Sequence, residues 1–102
     1  MDYSVHFFEE VRLDIREAKE WYKKQKSGLE KNFAQEVKKS IIRLQKNPEI
    51  YEIRYKNIRT IFTAIFPYSI HFFIDEKLKK VVIIAILHQA RNPASHHNSI
   101  TS

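Results

Sequence analysis

Five side chains in the second half of the chain could do chemistry together: Arg54, Lys56, Arg59, His88 and Arg91. Arg54 and Lys56 occupy alternate positions of Tyr51-Glu52-Ile53-Arg54-Tyr55-Lys56, so a strand there would put both on one face. Arg59 follows the turn residues Lys56-Asn57, His88 ends the apolar run 81–87, and Arg91 comes just after it. Gathered on one sheet face, these cations would form a concavity suited to a phosphodiester backbone. Their charge would stabilise a pentavalent phosphorus without a metal. His88, whose imidazole titrates near neutral pH, could then move a proton. A plainer reading stands beside this one. It is a solvated basic face in which Arg54 and Lys56 meet nothing, with a His88 that hydrogen-bonds backbone at a strand end.

Other chemistries find less support. The serines are expected in turns, on helix surface and in the C-terminal stretch, so no nucleophile–base pair presents itself. The acidic residues fall mainly on helical stretches and in the turn Asp75-Glu76, leaving no carboxylate cluster on the strands to hold magnesium. A single glycine argues against a glycine-rich phosphate cradle, and the absence of cysteine removes disulfides and thiolate metal sites. His71 lies opposite to Ile70 and Phe72 and is expected to face solvent or the basic face. The adjacent His96 and His97 lack further ligands. No metal and no cofactor is expected.

Eighteen Lys and Arg against twelve Asp and Glu give a formal charge of +6. That balance points to a polyanion as partner, either nucleic acid or an acidic protein. It also suits plain solubility. The length, 102 residues, supports one domain, expected over residues 1–93 with 94–102 as a flexible tail. Met1-Asp2-Tyr3-Ser4 shows no basic start before an apolar core, and no apolar run approaches the ~20 residues of a membrane span. The expectation is a cytoplasmic protein with no membrane partner.

The elements that must position the cations follow from periodicity. Residues 3–8 alternate weakly and predict a first strand. Val11, Ile15, Ala18, Trp21 and Tyr22 recur at helical spacing and predict a helix over 11–26, with Trp21 and Tyr22 serving as core and rim. Ser27-Gly28 breaks it, Gly28 being suited to a left-handed residue past a helix end. Leu29, Phe33, Val37, Ile41 and Leu44 predict a second helix over 29–46, stopped by Asn47-Pro48. The short linker folds the two helices back on each other. Strands are predicted from 51 with Tyr51, Ile53 and Tyr55 inward, from 58, from 68, and over 81–87, the last as the most buried. The fold class is therefore α/β (α+β), in the order β-α-α-β-β-β-β. A helical hairpin covers one face of a small, mainly antiparallel twisted sheet, and the basic face lies on the other side.

An ordered set of residues carries a resemblance over nearly the whole chain: Asp14, Ala18, Trp21-Tyr22, Gly28-Leu29, Phe33, Pro48, Arg59, Phe66-Pro67-Tyr68-x-Ile70 and His88-x-x-Arg91-x-Pro93. It resembles the RelE/ParE family of bacterial type II toxins. The resemblance implies a small toxin that inhibits growth, often serves plasmid stabilisation, and is neutralised by a cognate acidic antitoxin. RelE-like members cleave messenger RNA on the ribosome without a metal, and by that resemblance Arg54, Arg59, His88 and Arg91 would be catalytic. ParE-like members inhibit DNA gyrase by binding and need no nuclease site. The chain departs from the nuclease pattern: Glu52 stands at a further basic position, nothing aromatic follows Arg91, and Asn92-Pro93 is followed by Ala94-Ser95-His96. The resemblance leans to the ParE-like branch, with the nuclease as the alternative.

Overall fold

The structure is a computed structural model that describes residues 2–89. Arg91, Pro93, His96, His97 and the expected tail 94–102 lie outside the described residues. The element order is β1 (Ser4–Phe7), α1 (Glu9–Gln25), α2 (Leu29–Lys46), a 3-10 turn (Pro48–Ile50), β2 (Ile53–Tyr55), β3 (Ile58–Phe62), β4 (Tyr68–Asp75) and β5 (Lys80–His88). This is the predicted β-α-α-β-β-β-β order, with two helices packed on a five-stranded mixed sheet.

α1 carries Glu9 and Glu10 in its first turn and Lys23 and Lys24 in its last, as the helix dipole favours. It ends in extended backbone at Lys26. Gly28 is left-handed, at φ 95°, but it opens α2 and does not close α1. Its N–H donates to Glu30 Oε1 at 3.0 Å, so the acidic first-turn residue of α2 reaches back to hold the turn. The buried stripe of α2 is Phe33, Glu36, Val37, Ser40 and Leu44, with Leu29 and Ile41 half-buried beside it.

The sheet order is β1-β5-β4-β3-β2. After β1 the helical hairpin carries the chain to the far edge, and four strands then meander back until β5 lies parallel to β1. The other three pairings are antiparallel. Tyr3 N–H donates to Gln45 O at 2.9 Å and Gln45 Nε2 donates to Tyr3 O at 3.2 Å, tying the chain start to the end of α2.

The core lies between the hairpin and one face of the sheet. Tyr68, Ile70 and Phe72 of β4 point into it, with Val81, Ile83 and Ile86 of β5 and Ile61 of β3. At its centre Tyr22, Phe33, Phe66 and Tyr68 stack edge-on or tilted, with ring centroids 4.9 to 6.3 Å apart. The most buried run is residues 68–72 of β4, not β5 as expected. β1 is only four residues long and covers β5 from Lys80 to Ile83, so the rest of β5 is less protected.

Phe33, with no exposed surface, touches three of those rings. Replacing Phe33 with Ala should lower the unfolding free energy by about 3–5 kcal/mol, read as a fall in the urea midpoint at constant m-value.

Candidate functional site

Among the described residues, the predicted basic side chains do not gather on one face. Arg54 reaches over the side away from the helices, 5.6 Å from the Phe62 ring, and pairs with Glu52 at 2.9 Å. Both partners of that pair are largely exposed, so water screens it heavily. Lys56 is not a strand residue: it sits in the β2–β3 turn with φ 49°. Arg59 is in register with Phe72 and alternates with the core residue Ile61, so its stem leaves the sheet on the helix side. There Nη1 donates to the carbonyls of Glu49 and Tyr51, at 3.0 and 2.7 Å. Arg59 therefore staples the 3-10 turn and the segment before β2 to the sheet.

The β2 pattern also differs from expectation. Tyr51 packs toward Phe72, ring centroids 6.2 Å apart, but Ile53 is half exposed. Tyr55 lies 6.4 Å from His71 on the opposite face. A register shift between Ile53 and Tyr55 breaks the alternation that would have kept all three inward. Burial raises the Tyr55 phenol above its ordinary pKa.

His88 is on the helix side. β4 and β5 slip register between His71 and Phe72: His71 pairs with Ala85 but Phe72 pairs with Ile83, leaving Ile84 over. Beyond this bulge the facing of β5 inverts, so Ile86 enters the core and His88 pairs with Tyr68. The His88 and Tyr68 rings meet edge-on at 5.0 Å. Both line a cleft of about 440 Å³ with Asp14, Glu17, Ala18 and Trp21 of α1. The Asp14 carboxyl is held above the ordinary carboxylate range, first by burial and then by the charges of Glu17 and Glu10. Arg91, the fourth predicted catalytic residue, lies outside the described residues.

A polar cluster on the open face was not foreseen. His71 is 3% exposed, not solvent-facing, with Thr60 Oγ1 3.3 Å from Nδ1 and Ser69 Oγ 2.9 Å from Nε2. Ser69 is thus a strand residue beside an imidazole, against the expectation for the serines. Its own exposure is 2%, so the pair reads as a satisfied buried network and not as an accessible nucleophile. The period-two spacing of Ser69 and His71 was the available signal.

A further group of cations lies on α1. Arg12, Arg16, Lys19 and Lys23 recur at spacings of four, three and four along α1 and line a groove of about 570 Å³. Phe7 and Ile15 line it too, with Glu20 and Glu30, and the Arg12 guanidinium stands 5.1 Å over the Phe7 ring. The arrangement suits an acidic, partly apolar polypeptide. Among the described residues no group of three or more His, Cys, Asp or Glu side chains is placed to share a metal ion, and no helix is long and apolar enough to cross a membrane.

The arginines should separate in a mutational test. Arg59→Ala should cost about 1.5–3 kcal/mol of unfolding free energy, because it removes charge-assisted bonds to two carbonyls. Arg54→Ala should cost no more than about 0.5 kcal/mol. Urea titration of the two variants in parallel measures the difference.

Comparison with known proteins completes the description. The family model for the ParE toxin of type II toxin-antitoxin systems, parDE, matches residues 5–93. No curated protein sequence matches. A structure of the chromosomal ParDE system from P. aeruginosa superposes with TM-score 0.74 at 16% identity, covering 84% of this chain and 95% of that one. The isolated E. coli RelE toxin gives 0.66 at 15% identity and covers 95% of each chain. The RelBE2 toxin–antitoxin complex from Mycobacterium tuberculosis gives 0.61 at 18%, covering 86% of this chain and 99% of that one. At such identities the structural likeness speaks for the fold.

Proposed function

This chain belongs to the ParE toxin family and is the toxin of a type II toxin–antitoxin system; from that premise we propose that it acts by binding a protein target, with DNA gyrase as the candidate, and does not cleave RNA. The observation that carries this reading is the dispersal of the nuclease set. Metal-free phosphodiester cleavage needs its cations and proton carrier around one phosphate. Here Arg54 is on the open side, Arg59 is engaged by two backbone carbonyls, and His88 lies beneath α1. The alternative, a RelE-like ribonuclease acting on ribosome-bound mRNA, would require those groups to converge.

Purified protein assayed in parallel for inhibition of gyrase supercoiling and for cleavage of message on translating ribosomes separates the two. The expected result is gyrase inhibition with intact message. Message cleavage that disappears in Arg54→Ala would overturn the proposal. In cells, induced expression is expected to arrest growth from within the cytoplasm.

We assign neutralisation to a cognate antitoxin of acidic character; the RelBE structures that share the fold are toxin–antitoxin complexes. The α1 groove supports such a partner, since Arg12, Arg16, Lys19 and Lys23 outnumber Glu20 and Glu30 there, beside the apolar Phe7 and Ile15. Charge at the rim of an interface acts mainly through association rate and is screened by salt. Arg16→Glu with Lys19→Glu should slow antitoxin association about tenfold at low salt, and the deficit should shrink in about 0.5 M salt. Stopped-flow mixing of toxin and antitoxin measures both.

A further inference from the structure

The two edges of the sheet differ in what they offer to a second chain. β1 reads Ser4-Val5-His6-Phe7 and carries no carboxylate for another copy's cation to meet. At the other edge Glu52, Ile53 and Arg54 follow one another into β2. Ile53 is 50% exposed there, and Ile50, just before it, is 71% exposed. We propose that β2 pairs antiparallel with β2 of a second copy of this chain, with Ile53 on the two-fold axis.

The backbone sets the register. Thr60 N–H donates to Glu52 O at 3.3 Å and Ile53 stands opposite Arg59, so Glu52 faces β3. The N–H and C=O of Ile53 therefore project from the free edge. The groups on either side are taken or turned inward. Tyr51 N–H donates to Pro48 O at 3.5 Å, and Tyr51 O accepts from Arg59 Nη1 at 2.7 Å. Tyr55 stands opposite Ile58, beyond the register shift. Two copies can thus exchange both bonds of one narrow pair only at Ile53. Charge completes the match. An antiparallel pair centred on residue 53 sets Glu52 of each copy opposite Arg54 of the other. Within one chain these two side chains already meet at 2.9 Å, so in the dimer each guanidinium lies between two carboxylates. The two Ile53 side chains, on the face of their ladder partner Arg59, meet each other and lose contact with water. An edge guarded against self-pairing repels its own copy, whereas Glu52-Ile53-Arg54 carries opposite charges placed symmetrically about its centre.

The pairing joins two five-stranded sheets edge to edge. It uses the edge opposite β1, whose Phe7 lines the α1 groove, so both grooves stay open. The dimer therefore does not depend on what docks there. The contact is small, one ladder pair flanked by two ion pairs, and falls well below a standard protein–protein interface. A dissociation constant on the order of 100 µM is expected.

Sedimentation equilibrium of the full-length chain from about 5 µM to about 1 mM reads the association, and the mass should rise from one chain toward two. Glu52→Arg and Arg54→Glu, each with wild-type far-UV circular dichroism, should weaken it at least about fivefold, because like charges then face each other across the axis. Mixed in equal amounts, the two variants should associate more tightly than either alone, since every facing pair is again of opposite sign. A general loss of stability cannot produce that recovery. A chain that stays monomeric up to about 1 mM overturns the proposal and leaves the edge to a partner of another kind. Failure of the mixture to recover, or equal association of wild type and both variants, also overturns it. If the variants do not fold, amide exchange on the wild-type protein decides. The Ile53 N–H should gain protection as concentration rises over the same range, and exchange independent of concentration overturns the assignment.

Discussion

Burial of four aromatic rings between the hairpin and the sheet is the constraint on which the rest of the structure depends. Tyr22 comes from α1, Phe33 from α2, Phe66 from the β3–β4 loop and Tyr68 from the start of β4. Each element supplies one ring, so none can shift without opening the centre of the core. Such pairs add about 0.5–1.5 kcal/mol each beyond the area they bury, because edge and face of neighbouring rings carry opposite partial charge. Polar groups secure the same point. The buried Glu36 carboxylate accepts the Ala64 N–H at 2.8 Å, and Thr63 Oγ1 accepts the Tyr68 N–H at 3.2 Å while bonding the Phe66 carbonyl. The loop that carries Phe66 is thus clamped to α2, and Ile65 is left at its tip, 80% exposed.

With one sheet face covered in this way, a side chain's role is set by the face on which it emerges. The bulge at Ile84 makes that decision for the end of β5. Strict alternation from Val81 and Ile83 would have put Ala85 and Leu87 under the helices and His88 on the face that carries Arg54, two strands away from it. One extra residue inverts the pattern, because side chains change sides at every step along a strand. His88 becomes a wall of the α1 cleft, and the open face keeps the Thr60–His71–Ser69 network.

Charge is sorted by the same geometry. α1 carries Arg12, Arg16, Lys19 and Lys23 along one groove and Asp14 and Glu17 in the cleft. A net charge of +6 therefore hides two surfaces of opposite character on one helix. Long-range attraction follows the sum, but recognition at contact follows the local sign.

Much of the architecture is legible in the sequence. The apolar stripe of α2 predicts 29–46, the span it occupies, because a four-four-four-three spacing over eighteen residues has no reading as a strand. Strands β3, β4 and β5 were likewise marked by β-branched and aromatic runs cut by Pro67 and Asp75-Glu76. The resemblance carried by Trp21-Tyr22, Phe66-Pro67-Tyr68 and the His88 segment agrees with the family match over residues 5–93. The candidate site was not legible in the same way. Local periodicity determines which segments are helix or strand, since it depends only on neighbours a few positions apart. Which face Arg54, Arg59 and His88 share depends on registers between strands far apart in sequence, and on two bulges that periodicity does not mark. Pairing across the sheet, and the carbonyls it presents to Arg59, exist only once the chain has folded.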